Sequence, residues 1–370
     1  MGRYLVAVFL ALALAACEPR GAIILDPAAA AVGRVERLYI GTMRGRDPET
    51  GAPYSSARSA SMRYLRLDVS VPPDRMAGEI FWPRPRQKPD PNRQFLATQQ
   101  KAYASPAAFR ADLRQAILNE PGHRREAVVF VHGFNNNFAE GAYRLAQLGG
   151  DLAIRAPLVH YSWPSAAHPL GYAYDRDSAL YARDGLESLL REVEAAGASR
   201  IAVVAHSMGA SLVMETLRQV AIARDHRLMS RISGVVLISP DIDIDVFRAQ
   251  AARIGSLPEP FVIFTSKKDH VLALSARLSG ERERLGNIKD ISRLGDLKVT
   301  FLDTTGFSTG GGHFNLGNSP ALIALLGRLP DIDSAFAGDP TGRAGLLPGM
   351  VLTAQRATEI IMSPVTALSQ

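Results

Sequence analysis

Ile201-Ala202-Val203-Val204-Ala205 runs without interruption into His206-Ser207-Met208-Gly209-Ala210, and helix-forming residues continue from there to about Ala223. A short, wholly apolar run followed directly by a helix predicts a buried strand of a parallel sheet. The serine between them sits in a small-x-Ser-x-small turn, the strand-to-helix elbow that carries a nucleophile. Such a turn brings strand and helix so close that the flanking positions must be small. Ala205 and Gly209 meet that demand, with alanine where glycine is usual.

The same alternation extends in both directions. AVVFV (from 127), a helix from about Phe138 to Ile154, LVHYSW, a helix from about Asp177 to Ala196 and the elbow strand come first. After the helix from about Met208 to Ala223 come GVVLIS, a short helix near Val246 to Arg253, FVIFT, LKVTFLD and a helix near Pro320 to Leu329. Apolar strands alternating with amphipathic helices predict an α/β fold, a mostly parallel, doubly wound sheet with helices on both faces. Ahead of it, Arg34 to Met43 and Met62 to Val71 read as strands. Six prolines between Pro72 and Pro91 predict an extended surface loop, and Ser105 with Pro106 predicts a capped helix to Asn119.

AVVFV ends in His132-Gly133-Phe134-Asn135-Asn136-Asn137-Phe138. Gly133 lets the backbone turn sharply, and a loop in this place supplies one N–H of an oxyanion hole while the residue after the nucleophile supplies the other. The expected donors are the amides of Phe134 and Met208. His132 precedes the nucleophile and reads as a brace for the loop, and the asparagines read as caps of the next helix.

A serine nucleophile needs a base whose tautomer is fixed by an acid, in the chain order Ser, acid, His. Only His226, His270 and His313 follow Ser207. His226 lies among Arg224, Asp225 and Arg227 and reads as a solvated helix end. His313 lies in a Gly-rich loop after the last strand of this alternation, so it is the expected base. Two carboxylates stand just beyond strand ends, where open α/β sheets build their sites: Asp269 after FVIFT, and Asp241 after GVVLIS. Position ranks Asp269 first and Asp241 as the alternative. Asp243 and Asp245 read as caps of the helix near Val246, and Trp163 as packing. Tyr172, Tyr174, Asp175 and Arg176 read as shapers of a loop above the site.

Taken together, HGFNNNF (132–138), YSWPS (161–165), GYAYDRDSA (171–179), AHSMG (205–209), SPDIDIDVF (239–247) and GGHF (311–314) resemble a family of bacterial α/β-hydrolases, esterase/lipase-like and mostly uncharacterised. The resemblance spans about residues 35–330. It implies Ser207 as nucleophile, His313 as base, Asp269 in the acid position, and no metal or organic cofactor. An acyltransferase would use the same triad, and a non-catalytic envelope lipoprotein is the alternative from another class.

At the amino end, Met1 to Arg3 is a basic lead, Tyr4 to Ala16 is unbroken apolar sequence, and Leu14-Ala15-Ala16 precede Cys17. Thirteen residues fall short of the roughly 20 that span a bilayer. They fit a secretory signal whose end resembles the lipobox of bacterial lipoproteins. The resemblance implies cleavage before Cys17, acylation there and, with Glu18 next, an outer-membrane destination facing the periplasm. Residues 17–34 are then the lipidated cysteine and tether, and 331–370 a tail in which Met350, Ala354, Ala357 and Ile361 fall on one helical face.

Composition agrees with a globular body: 370 residues, 47% apolar and 21% charged, with a single cysteine. One cysteine excludes an intramolecular disulfide and a cysteine-based metal site. The net charge of +6 is spread without basic-aromatic runs, which argues against nucleic acid and leaves a small-molecule or lipid ester and a membrane as expected partners.

Overall fold

The computed structural model describes residues 20–84, 87–120, 124–308, 312–327, 349–354 and 357–362. Strands β1 (Arg34–Arg44), β2 (Arg58–Val71) and β3 (Leu96–Tyr103) lead into helix α1 (Pro106–Leu118), β4 (Glu126–Val131), α2 (Phe138–Asp151) and β5 (Leu158–Ser162). Then come α3 (Tyr172–Tyr181), α4 (Arg183–Ala195), β6 (Arg200–His206), α5 (Met208–Ile222), α6 (His226–Met229), β7 (Ile232–Ile238) and α7 (Ile244–Ile254). The chain continues with β8 (Phe261–Thr265), α8 (His270–Leu278), β9 (Thr300–Asp303), α9 (Asn315–Asn318), α10 (Pro320–Gly327), β10 (Gly349–Ala354) and β11 (Ala357–Met362).

All these strands join one sheet in the order β10-β11-β9-β8-β7-β6-β4-β5-β1-β2-β3. The pairs from β11 through β1 are parallel, and antiparallel pairs close both sides. β4 pairs with β5 on one side and β6 on the other, so the chain changes winding direction around it. A crevice opens at the carboxyl ends of such a pair. Register makes it specific: Val131 pairs with Ala205, which brings residues 132–133 beside 206–207.

Alternate strand residues feed two cores. On one face Val129, Val131, Val203 and Ala205 pack with α1, α4, α5 and α7; on the other Phe130 packs with Phe138 and Tyr143 of α2. Leu186, Leu189 and Leu190 of α4 are fully buried, each contributing about 1.5–3 kcal/mol by leaving water. Ser105 caps α1, its side chain accepting from Ala108 N–H with Pro106 in the first turn, as expected. Asn137 and Glu140 close a capping box on α2.

Four sequence readings are corrected. The expected helix 177–196 is two helices, broken at Ala182. The helical stripe Met350, Ala354, Ala357, Ile361 is instead a pair of strands, with Ala354 paired to Ala357 and β11 added to the sheet beside β9, so the sheet runs on past residue 330. From Arg20 on, the tether is docked: Leu25 bridges Ala97, and Ala29 is buried in a 3-10 turn. Asp245 is not a cap; Asp243 alone accepts from the amides of Asp245 and Val246. The signal segment, Cys17 and residues 331–348 lie outside the described residues.

Candidate active site

Ser207 sits between β6 and α5 with φ 52° and ψ −122°, a left-handed conformation that a non-glycine residue adopts only under constraint. Its N–H donates to Ile238 O at 2.9 Å, and its C=O accepts from Asp241 N–H at 3.2 Å and Ala210 N–H at 3.0 Å. These bonds over-determine the turn. A Cβ on Gly209 would collide with His132 O, and one on Gly133 would lie 2.9 Å from Ser207 Cβ and 2.7 Å from His206 Nδ1. The glycines on both sides are therefore required by closeness. Among the described residues neither Phe134 N–H nor Met208 N–H has an acceptor.

His313 Nδ1 lies 2.8 Å from Asp269 Oδ2, and Asp269 has no exposed side-chain surface. The other carboxylate oxygen, Oδ1, accepts from Leu272 N–H at 2.9 Å, so Asp269 also caps α8. The His313 ring packs against His206, centroids 4.8 Å apart, and the Phe314 ring packs against the same histidine at 4.3 Å. His313 thus stands against the residue before Ser207. Burial holds His206 well below the usual histidine range, with His313 and Arg144 adding to the shift.

Asp241 is engaged elsewhere. Its carboxylate accepts from Tyr172 OH at 2.9 Å and Ser275 Oγ at 2.6 Å and lies 3.2 Å from Arg284 Nε. His226 starts α6 after Asp225, which caps it, away from this edge.

The loop after β4 is held by buried polar groups. His132 Nδ1 lies 2.9 Å from Gly133 O and its Nε2 3.1 Å from Trp163 O, and the one N–H of the neutral ring donates to one of these carbonyls, while Trp163 Nε1–H donates to His132 O at 2.7 Å and the two rings stack. Burial, then Arg44 and His160, keep His132 well below the usual range, so it is a neutral brace. Arg44, buried and brought down to about 10 chiefly by desolvation, donates to Asn136 O at 2.7 Å, Ser162 Oγ at 2.9 Å and Ser165 O at 3.1 Å. Asp175 accepts from Asn135 N–H at 3.1 Å, Ala166 N–H at 2.5 Å and Ser165 Oγ at 2.5 Å, clamping the loops after β4 and β5 together. Arg20 closes the loop from outside. Its guanidinium donates to Asn135 O at 2.8 Å, Asn135 Oδ1 at 3.1 Å and Glu140 Oε2 at 2.6 Å.

A family model described as "Alpha/beta hydrolase of unknown function (DUF900)" matches residues 105–327. The chain belongs to this family. A search of the curated proteins finds no match. Among solved structures, the hydrolase is similar to Aspergillus fumigatus lipase B at 16% identity, covering 60% of this chain and 55% of that one, with a TM-score of 0.36. It therefore spans just over half the length of that lipase. An alpha/beta hydrolase from the metagenome of Lake Arreo, Spain, aligns over 88% of this chain and 96% of its own at 14% identity and TM-score 0.37. A Pyrobaculum calidifontis esterase aligns over 60% and 93% at 16% identity and TM-score 0.29.

Sequence reasoning missed Arg20 and Arg44. Arg20 falls in the stretch read as tether, and Arg44 lies one residue past the strand read as ending at Met43. A cavity of about 350 Å³ also borders the hydrolase's elbow, lined by Met208, Ser211, Tyr172, Asp241, Val246 and Arg284 among others. Among the described residues no group of His, Cys, Asp and Glu side chains is arranged to hold a metal ion.

Proposed function

We propose that this hydrolase cleaves carboxylic esters through an acyl-enzyme on Ser207. Ser207 Oγ attacks the ester carbonyl and its proton passes to His313 Nε2. The oxyanion takes hydrogen bonds from the amides of Phe134 and Met208, and collapse expels the alcohol, which receives the proton from His313. Water then repeats the sequence and releases the acid. Asp269 holds His313 with Nδ1–H toward it, leaving Nε2 as the base, and stabilises the imidazolium.

The observation that carries this reading is the 2.8 Å bond between His313 and Asp269, made between two loops at the same sheet edge as the strained Ser207. A chain begun at Glu18 retains every described residue and is the material for the test. It is expected to take a fluorophosphonate label at Ser207 and to cleave short-chain p-nitrophenyl esters, with both lost in Ser207→Ala. Absence of both in the unchanged chain overturns the reading.

The hydrolase is further proposed to be a lipoprotein of the bacterial envelope, acylated at Cys17 and held on the outer membrane. The sequence of residues 1–17 supports this. Arg20 adds a geometric consequence: three residues reach at most about 10 Å, so acyl chains on Cys17 would begin near the loop that Arg20 grips. Cys17→Ser is expected to release the protein from membranes, and retention overturns the anchor.

A further inference from the structure

Helix α8 lies across the carboxyl edge of the sheet. Its inner face carries Leu272, buried, and Ser275, whose hydroxyl donates to Asp241 just beyond β7. Its outer face carries Val271, Leu274 and Leu278, at 41%, 57% and 66% exposure. The spacing i, i+3, i+7 puts all three on one stripe, so a helix of nine residues is apolar on both sides. Exposed Lys268 and Arg277 flank that stripe.

The stripe is not isolated. Ser279 and Glu281, at the end of α8, rim the same cavity as Leu180 of α3 and Val246 of α7, which are 50% and 47% exposed. Leu170, 88% exposed, belongs to the loop that follows β5 at this same edge. Large apolar side chains thus gather on the segments that follow the carboxyl ends of β5, β7 and β8. Large apolar side chains exposed together at one edge mark an interaction site.

We propose that this face docks onto a phospholipid bilayer, with α8 as its apolar contact. The occupant follows from where the chain enters. Arg20, the first described residue, is fixed on Asn135, beyond the carboxyl end of β4, and nineteen residues of sequence precede it. They include the apolar run Tyr4 to Ala16 and Cys17. Apolar side chains flanked by lysine and arginine match an interface of acyl chains beneath anionic headgroups. The proposal goes beyond the ester reading, because docking brings the site to a lipid surface whether or not Ser207 turns over.

The test is co-sedimentation of the chain begun at Glu18, without acyl groups, with vesicles of phosphatidylethanolamine and phosphatidylglycerol. Binding is expected for the unchanged chain and for Ser207→Ala, and Leu274→Asp with Leu278→Asp is expected to weaken it at least about tenfold. Leu274→Gln with Leu278→Gln carries the same expectation should the aspartates prevent folding. Fluorophosphonate labelling in solution reports the folded site of each variant that keeps Ser207. Equal binding by unchanged and doubly substituted chains, or no binding by the unchanged chain, overturns the proposal. A dimer mass by light scattering that is lost in the double variant also overturns it, assigning the face to a second copy. Vesicle binding without any labelling or ester cleavage leaves docking standing and removes only the ester reading.

Discussion

Asp269 and His313 meet at 2.8 Å through Oδ2 of the carboxylate, while Oδ1 of the same carboxylate caps α8 at Leu272. One side chain therefore orients the proposed base and starts the helix whose outer face is apolar. Asparagine can still cap, but its amide would donate to His313 Nδ1 and impose the wrong tautomer. Asp269→Asn is expected to lower kcat/KM by about 10³–10⁴ with little change in thermal stability. Ester kinetics and a thermal melt read the two effects separately; turnover equal to that of the unchanged chain would remove Asp269 from the acid position.

Asp241 should behave in the opposite way. It neutralises Arg284 in a pair whose side chains are 8% and 3% exposed, Arg284 and Asp241 respectively. Asp241→Asn leaves a buried guanidinium without its charge partner, which costs about 3 kcal/mol or more. Turnover per folded molecule should stay within about tenfold, as expected of a residue that does not touch the base. Urea unfolding together with active-site titration checks both parts.

Gly133 separates backbone function from side-chain function. A Cβ there would lie 2.7 Å from His206 Nδ1, 2.9 Å from Ser207 Cβ and 3.1 Å from His206 O, so the loop carrying Phe134 N–H must move. Gly133→Ala is expected to lower kcat by about 10²–10³, the usual effect of losing one oxyanion donor. Wild-type turnover in a correctly folded Gly133→Ala protein would show that Phe134 N–H is not such a donor.

Arg20 tests whether the amino-terminal strap holds that same loop. Arg20→Ala removes donors to Asn135 O and Oδ1 and the partner of Glu140. A drop of about tenfold in kcat with KM nearly unchanged is expected, since positioning of the oxyanion donors acts on the transition state. Lysine can satisfy the charge of Glu140 but not the fork to Asn135, so Arg20→Lys should fall between. An unchanged kcat in Arg20→Ala would limit the strap to a packing role.

The elbow and the parallel sheet were legible because their signals are local: an apolar run, a serine with small flanks, a helix. The loop after β4 and His313 were legible from glycines at strand ends. β3 was not, because only Leu96, Ala97 and Thr98 of its eight residues are buried and the rest is polar edge. β10 and β11 misled because the spacing of Met350, Ala354, Ala357 and Ile361 fits a helix as well as it fits two paired strands. Asp269 was read for its strand end and from the resemblance, although the apolar Val271, Leu272 and Leu274 behind it carried the signal of a capped helix. Arg20 and Arg44 brace the site through contacts distant in sequence, which no local pattern encodes, whereas Asp175 was read as a loop-shaping residue and holds Ser165 and Ala166.

Three histidines whose protonation burial opposes steepen the loss of stability in acid. Burial lowers His132 and His206 well below the ordinary value and His160 to about 3. Each is neutral in the folded chain and protonates in the unfolded chain below about pH 6.5, so the unfolded state binds more protons there. The stability this gives is fully present above about pH 6.5 and is lost as pH falls, toward about 3 for His160. Each histidine contributes a slope of up to about 1.4 kcal/mol per pH unit in that window. Asp175 and Glu36 act with the opposite sign, since burial raises both, but a carboxyl group begins from a lower value, so the histidines govern the upper part of the fall. Urea midpoints should therefore drop steeply between about pH 6 and about pH 4. His160→Asn retains a donor for Phe130 O, which His160 Nδ1 contacts at 3.2 Å, and removes one titrating ring. Its stability should fall less steeply with acid, by about one proton's worth of slope, and an unchanged slope would mean that His160 does not titrate on unfolding.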